Sequence, residues 1–141
     1  MEDLRQRILG VKDTKVPAVV LEIPEWGVEV GLRRLSLPER LAFETENGAI
    51  DEIDRKKERE KYNRWLVRYV IATSCTLAGD RLFHPEDEEA LFGKSGTALE
   101  RLALGAVKVN IVSAEEVAEL GKSFGGARNG ASPSGSPVTS G

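Results

Sequence analysis

Residues 16–32 read VPAVVLEIPEWGVEVGL, and this stretch decides the fold class. Val16, Val19, Val20, Leu21 and Ile23 form a β-prone run, and Pro24-Glu25-Trp26-Gly27 then supplies turn residues. Val28, Val30 and Leu32 alternate with Glu29, Gly31 and Arg33. A period of two sends successive side chains to opposite faces, as in a half-buried strand. Two strands around a Pro/Gly turn make a β-hairpin. Pro17 has no N–H to give to a ladder, so the first strand either lies at an edge or begins after it.

Away from the hairpin the periodicity becomes helical. Leu4, Ile8 and Leu9 share one face of a short N-terminal helix that Gly10 stops. Ser36-Leu37-Pro38-Glu39 opens the next helix: Ser36 caps it, Pro38 fits its first turn and Glu39 completes a capping box. Leu37, Leu41 and Ala42 are expected to face inward, and Asn47-Gly48 ends the element. A long helix is then expected from about Ala49 to Ala78. Its first half is nearly all charge, with Asp51/Arg55, Glu52/Lys56 and Glu60/Arg64 spaced for i,i+4 pairs, each worth about 0.2–0.5 kcal/mol. Its second half, with Trp65, Leu66, Val67, Tyr69, Val70, Ile71, Cys75 and Leu77, is apolar on most sides, as in a buried helix. After the Gly79-Asp80 turn, Pro85 starts a short helix with Glu86 to Glu89 at its positive end, stopped by Gly93. Ser95 or Thr97 begins another, with Ala98, Leu99, Leu102, Ala103, Ala106 and Val107 as an i, i+3, i+4 stripe.

Ser113 and Glu116 make a second capping box ahead of Val117 and Leu120, and Gly121 ends that helix. Beyond Phe124 the sequence is mostly Gly, Ala, Ser and Pro, which cannot bury enough apolar surface to offset the entropy of ordering. The expected organisation is therefore a single folded domain over 1–124 and a disordered tail over 125–141. The fold class is α+β and mostly helical: an N-terminal hairpin packed on a small bundle of about four to five helices. Removing the tail should leave the melting transition unchanged.

Composition narrows the function. The 141 residues suffice for a core without metals or disulfides. A net charge of −3 gives no basic surplus for nucleic acid. One cysteine excludes an internal disulfide and suits a reducing compartment. The first residues are charged where a signal peptide would be apolar. The apolar run near Leu66 to Ala78 is too short and too polar to span a bilayer.

The motifs that suggest chemistry have blander readings. Gly93-Lys94-Ser95 and Gly121-Lys122-Ser123 resemble the end of a phosphate loop, but the required upstream glycine is replaced by Glu88 and Glu116, so both read as helix-end turns. His84 is the sole histidine and Cys75 its sole thiol partner. Cys75 lies in an apolar run and His84 flanks a helix start, so no catalytic residue is assigned. Too few Cys and His exist for zinc. Asp80 and Glu86 to Glu89 lack calcium-loop spacing and read as a solvated helix start; no cofactor or metal is expected. The base run Arg55-Lys56-Lys57 is cancelled by nearby acids. Two features suit partner contact. Trp26, in its turn, either plugs the hairpin onto the helices or presents a rigid anchor. The small-residue face Ala98, Leu102 and Ala106 either belongs to the core, the favoured reading, or captures a helix if it is incompletely buried.

The order of segments resembles the tail assembly chaperones of long-tailed bacteriophages. Carrying the resemblance are Val20 to Val30 and Leu35-Ser36-Leu37-Pro38-Glu39-Arg40, then Leu66 to Leu77 with Gly79-Asp80-Arg81-Leu82-Phe83. Asp87-Glu88-Glu89-Ala90-Leu91, Lys94-Ser95, Ala98-Leu99, Val109-Asn110 and Ser113 to Val117 continue it, so that it spans about residues 4 to 122. Leu77-Ala78 stand where the family's pattern has a further acidic residue before the turn. The resemblance implies a non-enzymatic protein of the host cytoplasm that coats the aggregation-prone tape-measure protein. It would deliver that protein to the tail tube protein and be absent from the mature virion. A homo-oligomer is compatible with this role, and neither nucleic acid nor membrane enters it. The alternative is a structural neck or minor tail protein retained in the particle. Family members are often made in a second, longer form by programmed frameshift, and Leu120-Gly121-Lys122 is compatible with a slippery heptamer in the gene.

Overall fold

The computed structural model of the chain describes residues 2–111 and 118–119. The capping box of Ser113 and Glu116, residues 120–123, the boundary near Phe124 and the tail over 125–141 lie outside the described residues. Residues 1–110 form one compact unit. Its order is α1 (Glu2–Gly10), β1 (Pro17–Ile23), β2 (Val28–Arg33), α2 (Leu37–Asn47), a single 3-10 turn (Ile50–Glu52), α3 (Arg59–Thr73), β3 (Ser74–Cys75), a second 3-10 turn (Pro85–Asp87), α4 (Glu88–Phe92) and α5 (Gly96–Asn110).

β1 and β2 form the expected antiparallel hairpin, with Leu21 opposite Val30 and Val20 opposite Gly31. The N–H groups of Trp26 and Gly27 both donate to the Ile23 carbonyl, at 3.0 and 2.9 Å, and close the turn. β1 is an edge strand. Pro17 is its first residue, and the register shifts between Pro17 and Val19, which is how an edge accommodates a residue without an N–H. One face of the hairpin lies on α5. A Cβ at Gly105 would come within 2.9 Å of the Leu21 and Leu32 Cδ1 atoms, so glycine there permits the close approach of helix to sheet.

The core joins Ile23, Val30 and Leu32 of the hairpin to Trp65, Tyr69 and Val70 of α3 and to Ala98, Leu102, Ala103 and Ala106 of α5. α3 is apolar on most sides, as expected. The architecture is α+β and mostly helical, with the N-terminal hairpin against the helices.

Three local expectations are corrected. The helix placed at Ala49 to Ala78 is shorter and begins at Arg59. Asp54 Oδ1 accepts the N–H groups of Lys56 and Lys57 at 3.0 and 3.1 Å, and Glu58 Oε1 accepts that of Asp54 at 3.0 Å. Short acidic side chains thereby satisfy backbone donors in a non-helical loop. Of the three spaced ion pairs only Glu60–Arg64 is in contact, at 3.9 Å; Arg55 reaches Glu100 instead. The helix also ends early: Ser74 and Cys75 pair with Leu32 and Gly31 as a third strand. Finally, α2 turns Phe43 inward, and Leu37, Leu41 and Ala42 face solvent. Phe43 meets Trp65 edge-on at 5.3 Å and Tyr69 at 5.1 Å, while Trp65 and Tyr69 stack at 4.5 Å. Aromatic edge contacts add to the area buried, and only one face of α2 can make them.

Candidate partner-binding surface

The hairpin tip is held at two points. Trp26 is half-buried and packs against both hydrophobic clusters of the body. Glu25 Oε1 accepts from Arg101 Nη1 of α5 at 2.7 Å, and this guanidinium hydrogen bond holds the Glu25 carboxyl below its ordinary range. Trp26 therefore plugs the hairpin onto the helices.

Ala98, Leu102 and Ala106 are each 0% exposed. Their stripe is core, so the incomplete burial on which their contact with a partner depended is not met in this structure. The apolar side chains that do face solvent lie elsewhere. On α1, Leu4, Ile8 and Leu9 are 59–68% exposed; on α2, Leu37 and Leu41 are 78% and 65% exposed. The stripes of α1 and α2 have the same spacing as that of α5, so spacing alone could not separate contact surface from core. A groove of about 300 Å³ between α3 and α5 is lined by Leu66, Val67, Phe92 and Leu99, with Asn63 and Glu100 also contributing.

The charged features are structural in this arrangement. Glu88 binds Arg64 at 3.3 Å and Arg68 at 3.0 Å, and Glu89 binds Arg64 at 2.8 Å. Arg64 also stands over the Phe92 ring at 3.8 Å. The acidic start of α4, expected to be solvated, thus fastens α4 to α3. In the Gly93-Lys94-Ser95 turn, Lys94 N–H donates to the Leu91 carbonyl at 2.9 Å and Ser95 Oγ accepts from Ala98 N–H at 3.2 Å. It is a helix-to-helix turn, as read. His84 is exposed ahead of α4, whereas Cys75 is fully buried in the sheet and burial pushes its thiol up. Among the described residues, no group of three or more His, Cys, Asp or Glu could hold a metal ion. No helix among them is long and apolar enough to cross a membrane.

The arrangement defines a small α+β protein whose sheet is built around an N-terminal hairpin and covered by α3 and α5. No family model matches the chain, and no curated protein matches its sequence. A solved structure does: the tail assembly chaperone of bacteriophage HK97 is similar over 77% of this chain and 97% of that one, with a TM-score of 0.54 and 21% identity. At that identity the likeness is one of fold. It is the fold that the resemblance in the sequence implies.

Proposed function

We propose that this chain is a bacteriophage tail assembly chaperone: a non-enzymatic binder that keeps the tape-measure protein soluble and passes it to the tail tube protein. The observation that carries the reading is the shared fold with the HK97 tail assembly chaperone, which spans 97% of that protein. The order of caps, turns and core stripes along the sequence supports it independently. Exposed apolar side chains on α1 and α2 add the chemistry that holding a long amphipathic helix requires. On this reading the protein works in the host cytoplasm, leaves before the virion matures, and shares its folded body with a longer frameshifted product.

Co-expression with the large open reading frame expected immediately downstream tests the reading. That product should be soluble, and co-purify, only when this chain is present. Equal solubility without the chain would end the proposal. Mass spectrometry of purified particles separates it from the neck or minor tail alternative, since a chaperone is absent from them. A gene lacking a slippery heptamer at codons 120–122 would remove the frameshift from that position.

A further inference from the structure

α4 is five residues long, far below the roughly 12–15 at which an isolated helix becomes more than marginal in water, so its shape depends on what it touches. Of its residues only Leu91 is buried, whereas α3 buries seven and α5 five. Leu91 completes a small cluster with Val67 and Ile71 of α3 and Leu99 of α5. That cluster is distinct from the larger core that joins the hairpin to α3 and α5. Lifting α4 therefore opens one apolar patch and leaves the sheet and the two long helices packed.

What holds α4 otherwise is charge, and most of it passes through one side chain. The Arg64 guanidinium takes Glu88 at 3.3 Å and Glu89 at 2.8 Å, and it stands over the Phe92 ring at 3.8 Å. It also lies 3.9 Å from Glu60 of its own helix. Arg68 adds a second bond to Glu88 at 3.0 Å. Three carboxylates thus gather on Arg64, and among the described residues only Glu88 would keep a cation without it. Exposed ion pairs stabilise weakly, and the Glu89 side chain is 80% exposed. Arg64 itself is only 20% exposed, and a forked guanidinium pressed on a ring holds better than a solvated pair.

We infer that α4 is a flap latched by Arg64, and that its opening uncovers the apolar surface of Val67, Ile71 and Leu99 while the rest of the body stays folded. The inference does not rest on the chaperone reading. Local openings of this kind cost less than global unfolding, and they depend weakly on denaturant because little surface is exposed. The body thus carries an apolar surface that is shown only while the flap is open.

Hydrogen exchange of the full chain in low concentrations of urea tests it. The α4 amides should exchange about tenfold or more faster than those of α3 from Trp65 to Val70, at rates that barely change with urea. Arg64→Met keeps an apolar stem over Phe92 and removes the charge; it should speed α4 exchange by about a further tenfold. Arg64→Lys, a point charge without the fork, should fall between the two. A thiol probe reads the uncovered surface. In Val67→Cys the new thiol should be alkylated well ahead of Cys75, whose 0% exposure in the sheet makes it the internal clock for unfolding of the body. α4 amides that exchange only together with those of α3, with the same urea dependence, overturn the inference. So does unchanged α4 exchange in Arg64→Met, or a Val67→Cys thiol labelled no sooner than Cys75.

Discussion

Tyr69 stacks on Trp65 at 4.5 Å, and its hydroxyl is buried with no hydrogen-bond partner. Burial pushes the phenol up to about 12, because a phenolate there would lose hydration without compensation. The ring and the hydroxyl therefore act in opposite directions. Removing only the hydroxyl relieves a desolvated polar group. Tyr69→Phe should melt at or above the wild-type temperature, whereas Tyr69→Ala, which also removes the stacked ring, should cost about 3–5 kcal/mol. Chemical denaturation of the three proteins checks the ordering. A substantially less stable Tyr69→Phe would mean that the hydroxyl has a partner, such as a buried water.

At the scale of one element, α2 is held at its start and at its single inward ring. Ser36 Oγ accepts from Glu39 N–H at 3.3 Å, and the Glu39 carboxylate accepts from Ser36 N–H at 2.9 Å. The same carboxylate takes both Arg33 Nη groups, at 3.2 and 3.1 Å. Arg33 first, and Ser36 with it, holds the Glu39 carboxyl down to about 2 from its ordinary 4.5. A carboxyl whose folded value is depressed adds stability above its ordinary value and loses it as pH falls through the folded one. This contribution should fade between about pH 4.5 and 2. It is modest and salt-sensitive, since the Glu39 side chain is 45% exposed. Glu39→Gln should flatten the acid limb of melting temperature against pH; an unchanged limb would remove Glu39 from the account.

The same element marks the limit of what the sequence discloses. Its boundaries were legible because capping is local: Ser36, Pro38, Glu39 and Gly48 lie within the segment they delimit. Its orientation was not, because Phe43 is selected by Trp65 and Tyr69, more than twenty residues away. The hairpin was legible for the same local reason, from alternation and a Pro/Gly turn. β3 was hidden, since two residues carry no period and their strand character comes from Gly31 and Leu32. The charged run before Arg59 misled because i,i+4 spacing is equally available to a helix and to a loop tied by Asp54. Of the candidate surface, the sequence left Trp26 between plug and anchor, and its packing against both clusters is a tertiary fact no local pattern carries. The α5 stripe is core, the reading its sequence favoured.

On the scale of the molecule, the sheet and the helices are clasped by Asn110. Its Oδ1 accepts from Leu35 N–H at 2.7 Å, and its Nδ2 donates to the carbonyls of Arg33 and Ala106, both at 3.1 Å. Arg40 adds a bond to the Asn110 carbonyl at 3.3 Å. These groups satisfy the backbone between β2 and α2, where neither ladder nor helix serves it. Asn110→Ala should therefore destabilise by roughly 1–3 kcal/mol, whereas Asn110→Asp should retain the Leu35 bond and lose the two donated ones. Equilibrium unfolding ranks the two variants.

That clasp also sets an order in time. The hairpin is synthesised before α5, yet the side chain that completes its exit belongs to the final residue of α5, 75 and 77 positions later along the chain. Contacts of such separation form only after the intervening chain is available, and closing so large a loop is slow. A nascent chain that has not yet delivered Asn110 keeps the backbone at Arg33 and Leu35 open to water. The last residue of α5 thus completes a connection begun at the exit of the hairpin.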